Sequence, residues 1–123
     1  MDIYKYWEDC VNQDENALIG YFHQDAYINW HNTNESFTLK EFITANCEYP
    51  GKWNGEVKRI ERIEDLVITV TKVYSMETDE SLHVISFIKL EEGKIKSIDE
   101  YWGEDGNPPE WRQKKNIGHP IVE

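Results

Sequence analysis

Apolar positions recur at helical spacing early in this chain and at strand spacing through its second half. Ile3, Tyr6, Trp7, Cys10 and Val11 fall on one side of a 3.6-residue repeat and predict a helix from Asp2 to about Asn12. Asp14 then reads as an N-cap, with Ala17, Leu18, Tyr21 and Phe22 on one face of a short second helix over residues 15–22. Ala26 to Trp30 is rich in strand formers, and the polar HNTNES after it reads as a turn. Thr38, with Glu41 three residues on, is a capping box for a third helix carrying Phe42, Ile43 and Ala45. Pro50-Gly51 stops that helix.

The remainder predicts four long strands, over residues 53–64, 66–76, 81–90 and 94–102. VITVTKV and VISFI are dense in β-branched residues, and Glu64-Asp65, Thr78-Asp79 and Glu92-Gly93 mark tight turns. Short turns imply antiparallel hairpins. The expected architecture is α+β, with helices laid on one face of a curved antiparallel sheet.

At 123 residues, the chain is expected to form a single domain spanning 1–123. Composition narrows its partners. With 39% hydrophobic and 13% aromatic residues, the chain is too apolar to remain disordered, and its five Trp and seven Tyr suggest a bulky core or a ring-lined pocket. A net charge of −11 disfavours nucleic acid and anionic membrane. No apolar run is long enough to span a bilayer. MDIYKYWEDC lacks the basic start and apolar run of a signal peptide, and Cys10 and Cys47 form no disulfide framework, so the expected setting is the reducing cytoplasm.

Motif chemistry is sparse. No Walker loop, dinucleotide fingerprint or nucleophile elbow is present, and no cofactor is expected. His23, His31, His83 and His119 show no metal-ligand spacing; His23, Asp25 and His31 are the nearest approach to a ligand set, and no metal is expected.

FHQDAYINW, YPGKW, ISFIKLEEGKI and EYWGEDGNPPEW, with the element order, resemble the SnoaL-like domains of the nuclear transport factor 2-like superfamily. The resemblance implies a cone-like fold, three N-terminal or intervening helices on the concave face of the sheet, and a pocket between them. It also implies a homodimer through the outer sheet face. In steroid-isomerase-like members, three positions carry the chemistry, and they fall here on Tyr6, Trp30 and Ser86. Only the tyrosine is of the type such an isomerase uses. Tryptophan cannot abstract a proton, and serine is a poor stand-in for a protonated acid.

The same register turns Ile98, Glu100 and Trp102 inward, and places Glu100 where SnoaL-like cyclases and related epoxide hydrolases hold an acid–base residue. The hydrolases' accompanying Asp–Arg pair has no counterpart. The residues alone leave two readings of Glu100: an acid–base group with its pKa raised by burial, or a carboxylate paired with Arg59, Arg62, Arg112 or a tyrosine. Trp30, Trp53 and Trp102 read as an aromatic box or as core packing.

The candidate site therefore comprises Glu100 and Tyr6 as catalytic residues, with Ile28, Trp30, Val84, Ser86, Ile98 and Trp102 as ligand-binding residues. The expected partner is a small neutral or cationic ligand, partly aromatic or alicyclic. The alternatives are an acid–base isomerase, cyclase or dehydratase using Glu100, and a dimeric interaction module without catalysis. Trp111 and Arg112, beyond Pro108-Pro109, are expected to pack back on the body as a clasp or pocket rim.

Overall fold

The computed structural model describes residues 1–122. Helices α1 (Ile3–Val11) and α2 (Glu15–Ile19) precede β1 (Phe22–Trp30). A 3-10 turn (His31–Thr33), a short β2 (Glu35–Thr38) and α3 (Leu39–Cys47) follow. Then come β3 (Trp53–Ile63), β4 (Leu66–Ser75), β5 (Ser81–Glu91), β6 (Lys94–Glu104) and a short α4 (Glu110–Lys114).

The six strands form one curved sheet in the order β2-β1-β6-β5-β4-β3. Four pairings are antiparallel, as the hairpins require; β1 and β6, far apart in sequence, run parallel. Register shifts in β1, β3 and β5 mark irregularities of the kind that bend strands. The β5–β6 turn places Glu92 and Gly93 both at positive φ, the geometry a two-residue hairpin needs.

The second and third helices begin where the sequence puts their caps, and Asp2 caps the first. Asp2 accepts from the Lys5 amide and Asp14 from the Ala17 amide. Both halves of the Thr38–Glu41 capping box are formed. The apolar stripe of α1 buries Ile3, Tyr6, Trp7 and Cys10, while Phe42 and Ile43 of α3 cover the β1 end of the sheet. Against them lie Ile28, Val67, Val84, Ile88, Ile95 and Ile98 from the strands. Gly55 permits a close approach at the β3 side: a Cβ there would come within 3.0 Å of Val11 Cγ1 on α1.

Three expectations need correction. The second helix stops at Ile19, and Tyr21 and Phe22 lead into β1 instead; the β1–β6 pairing begins at Phe22 and Ile95. The HNTNES turn is shorter than expected, because Glu35 to Thr38 pair with β1 as a sixth strand. The C-terminal clasp does not form. Trp111 is 59% exposed, α4 buries no residue, and Arg112 lies over the neighbouring Trp111 ring rather than over the body.

Candidate functional site

A cavity of about 220 Å³ opens between α1, the end of α3 and the concave face of the sheet. Trp7, Cys10 and Val11 enter it from α1. Gln13, Asn46 and Tyr49 form the helical rim. The sheet supplies Trp30 from β1, Trp53 from β3, Val73 from β4 and Leu82 and Val84 from β5. Glu100, Trp102 and Glu104 line up along β6, two residues apart, as side chains on one face of a strand must.

The rim is built by side-chain clamps. Gln13 Nε2 donates to the carbonyls of Asn46 at 3.0 Å and Tyr49 at 2.7 Å, and Asn46 Nδ2 donates to the Cys10 carbonyl at 2.9 Å. These bonds tie α1 to α3 where the cavity opens. Trp53 is fixed by its own N–H, which donates to the Pro50 carbonyl at 2.8 Å. Trp102 is held through its backbone: Asn32 donates to its carbonyl at 2.6 Å and accepts from its amide at 2.9 Å.

Glu100 is the chemical centre of the wall. Its exposure is 7%, and both carboxyl oxygens are engaged. Trp30 Nε1 donates to Oε1 at 3.1 Å, and Ser86 Oγ donates to Oε2 at 2.5 Å. Strand register brings the three together. Trp30 lies opposite Glu100 across the parallel β1–β6 pair, and Ser86 opposite it across the antiparallel β5–β6 pair. Burial pushes the Glu100 pKa up; the bonds from Ser86 and Trp30 act the other way without cancelling that rise. None of the arginines considered as partners reaches it. Arg59 pairs with Glu61, and among the described residues no lysine, arginine or histidine lines the cavity.

The aromatic rings meet in near-perpendicular pairs. Trp30 and Trp102 have ring centroids 5.5 Å apart at 86°, and Tyr49 and Trp53 5.8 Å apart at 77°. Edge-to-face contacts of this kind hold rings rigidly and are each worth about 0.5–1.5 kcal/mol beyond area burial.

Of the candidate residues, the fold brings Trp30, Val84, Glu100 and Trp102 to the cavity surface. Ser86 is 1% exposed and meets the cavity only through Glu100. Ile28 and Ile98 are wholly buried in the core behind the wall. Tyr6 is 1% exposed and is not among the lining residues; burial, with Cys10 and Glu100 nearby, pushes its pKa well up. A phenol so enclosed supports the wall and does not touch what the cavity holds. Trp53, read as part of an aromatic box, does line the cavity. The helical contribution from Cys10, Val11, Gln13, Asn46 and Tyr49, and Glu104 at the strand end, carried no signal in the sequence. These are single positions on separate elements, brought together only by how α1 and α3 cross the sheet.

The possible ligand trio of His23, Asp25 and His31 is dispersed. His23 bonds the Glu91 carbonyl, Asp25 pairs with Lys96 at 2.7 Å, and His31 pairs with Asp99 at 2.7 Å. Among the described residues, no group of three or more His, Cys, Asp and Glu could hold a metal ion. Among the same residues, no helix is long and apolar enough to cross a membrane.

The sequence matches no protein-family model and none of the curated proteins. Solved structures do match. A candidate ketosteroid isomerase from Kribbella flavida superposes with a TM-score of 0.80 at 21% identity, over 98% of this chain and 87% of that one. An NTF2-like protein of unknown function from Burkholderia xenovorans superposes with a TM-score of 0.77 at 19% identity, over 96% and 92%. A candidate SnoaL-like polyketide cyclase from Shewanella putrefaciens follows with a TM-score of 0.70 at 14% identity, over 80% and 85%. The fold is that of the nuclear transport factor 2-like and SnoaL-like proteins. Likeness at such identities fixes the fold and leaves function to the site.

Proposed function

We propose that this chain is a small-ligand-binding domain of the SnoaL-like type, whose cavity takes a compact apolar or aromatic molecule beside Glu100. The observation that carries the reading is the wall itself: four tryptophans and a tyrosine around one buried carboxylate. Binding sites combine largely apolar linings with a few fixed polar groups in this way. The volume is below the roughly 300–1,000 Å³ of drug-sized sites, so the ligand is small. Trp30, Val84 and Trp102 would touch it, Glu100 would orient it, and Ser86, Ile28 and Ile98 would hold the wall in place.

Native mass spectrometry of the purified protein tests this. The expected result is a retained or added small molecule that is lost when Leu82→Trp fills the cavity, with the fold intact by circular dichroism. Binding that survives the filled cavity places the ligand elsewhere and overturns the reading.

A second reading is acid–base catalysis by Glu100. The observation favouring it is the raised pKa, which leaves the group able to give and take a proton closer to neutrality than an exposed glutamate. Tyr6 would then act as a positioning residue behind Cys10. Glu100→Gln abolishes such an activity; an activity unchanged in that variant excludes it.

The outer sheet face exposes Tyr27, Ile85, Phe87 and Tyr101, an apolar surface suited to a second copy of the chain or, in the interaction-module reading, to another partner. Sedimentation of the wild type against Phe87→Lys tests the dimer. Two free thiols, Cys10 and Cys47, suit the cytoplasmic setting.

A further inference from the structure

Glu100 poses a problem of charge. It is buried among rings, and its hydrogen-bond partners among the described residues, Trp30 and Ser86, are both neutral. An ionised carboxylate out of water without a counter-charge is costly, and the described residues supply none on the cavity wall. Among the described residues, the only other charged side chain on the cavity wall is Glu104, also acidic. The remaining wall is dominated by tryptophan, whose ring face attracts cations more strongly than that of any other side chain. Around the whole, a net charge of −11 draws cations in and holds anions off.

We infer that the cavity selects an organic ammonium ion with a compact apolar or aromatic body. The ammonium head sits against the Trp30 and Trp102 faces and completes the missing charge pair with Glu100. The body rests on Trp7, Trp53 and Leu82. Each Glu100 oxygen accepts one bond from the protein and has a lone pair left, so an N–H of the ligand can be accepted without breaking the bond to Trp30 or Ser86. This inference rests on the ligand-binding reading and adds the sign of the charge.

The groups facing Glu100 are Tyr6 and Cys10 from α1, Trp30 from β1, Ser86 from β5, and Trp102 and Glu104 along its own strand. Burial pushes the Tyr6 and Cys10 pKa values well up, so both stay protonated at neutral pH. Glu100 is then the buried group among them whose ionised form a bound cation favours.

The test is calorimetry on the full chain with three probes of one shape: benzylammonium, benzyl alcohol and benzoate. Benzylammonium is expected to bind about tenfold or more tightly than benzyl alcohol, with benzoate weakest. Glu100→Gln is expected to weaken benzylammonium by about tenfold or more and benzyl alcohol by much less. Glu104→Gln, at the exposed end of the strand, is expected to have a smaller effect. If benzyl alcohol binds as tightly as benzylammonium, the charge inference falls and the ligand-binding reading stands. If benzylammonium affinity is unchanged by Glu100→Gln and vanishes in high salt, the attraction is diffuse surface charge and the inference is overturned. If none of the three binds the folded protein, both readings fail for compact aromatic ligands.

Discussion

Trp30 and Glu100 face each other across the parallel β1–β6 pair, and the indole N–H of one donates to Oε1 of the other at 3.1 Å. One residue supplies both a ring for the cavity wall and a clamp on its acid. Trp30→Phe keeps most of the ring and removes the donor. The Glu100 pKa, already raised by burial, is expected to rise further, because a hydrogen bond that favours the ionised form is lost. Carbon-13 titration of the Glu100 carboxyl in the two proteins checks the direction; a lower value in the variant contradicts it.

The same acid should make stability depend on pH. Its folded pKa lies above the unfolded one, so its contribution is complete below the unfolded pKa and is lost as pH rises through the folded pKa. Glu100→Gln removes that loss, since the amide can accept from Trp30 and donate to Ser86. Thermal melts of wild type and variant are expected to diverge as pH rises across this window, with the variant gaining. Parallel curves would mean that Glu100 titrates normally.

Tyr21 offers a test of packing away from the cavity. Its hydroxyl donates to Asp9 Oδ2 at 2.7 Å, and Asp9 is a buried carboxylate at 3% exposure, also reached by Lys5 at 3.2 Å. Tyr21→Phe leaves that carboxylate one donor short. The expected cost is about 1–3 kcal/mol, a loss of several degrees in Tm. Chemical denaturation of both proteins measures it.

The tail after β6 is expected to be dispensable for stability. Residues 105–122 are exposed throughout, and Trp111 does not reach the body. Truncation after Gly106 should leave Tm unchanged within about a degree, as surface changes do. A clear fall would show that the tail packs in solution.

How much of this was legible in the sequence varies element by element. The Thr38–Glu41 box marked the start of α3 because a cap is a local signal between neighbouring residues. The long strands were visible because alternation and turn residues are also local. Tyr21 and Phe22 were ambiguous, since their apolar pair suits a helix face or a strand entry, and pairing of Phe22 with Ile95 decides it. The Glu35–Thr38 strand is too short and polar to announce itself; β1 supplies the partner that makes it a strand. Within the site, alternation puts Glu100 and Trp102 on one face of a strand, and the resemblance makes that face the inner one. The resemblance named Trp30 and Ser86 as site residues but not as donors to Glu100, which they reach through two separate pairings. Trp111 misled for the opposite reason: a large ring beside prolines suggests packing, but the ring is 59% exposed and α4 buries no residue.

The most direct test of the account is the ionisation of Glu100 with and without a molecule in the cavity. Carbon-13 labelling of the glutamate carboxyls, with Glu100→Gln for assignment, follows the group through a pH titration. The free protein is expected to show a midpoint above the usual carboxylate range, falling when benzylammonium is bound. A midpoint in the ordinary range in the free protein, or one unmoved by a bound ligand, would contradict a buried acid that meets what the cavity holds.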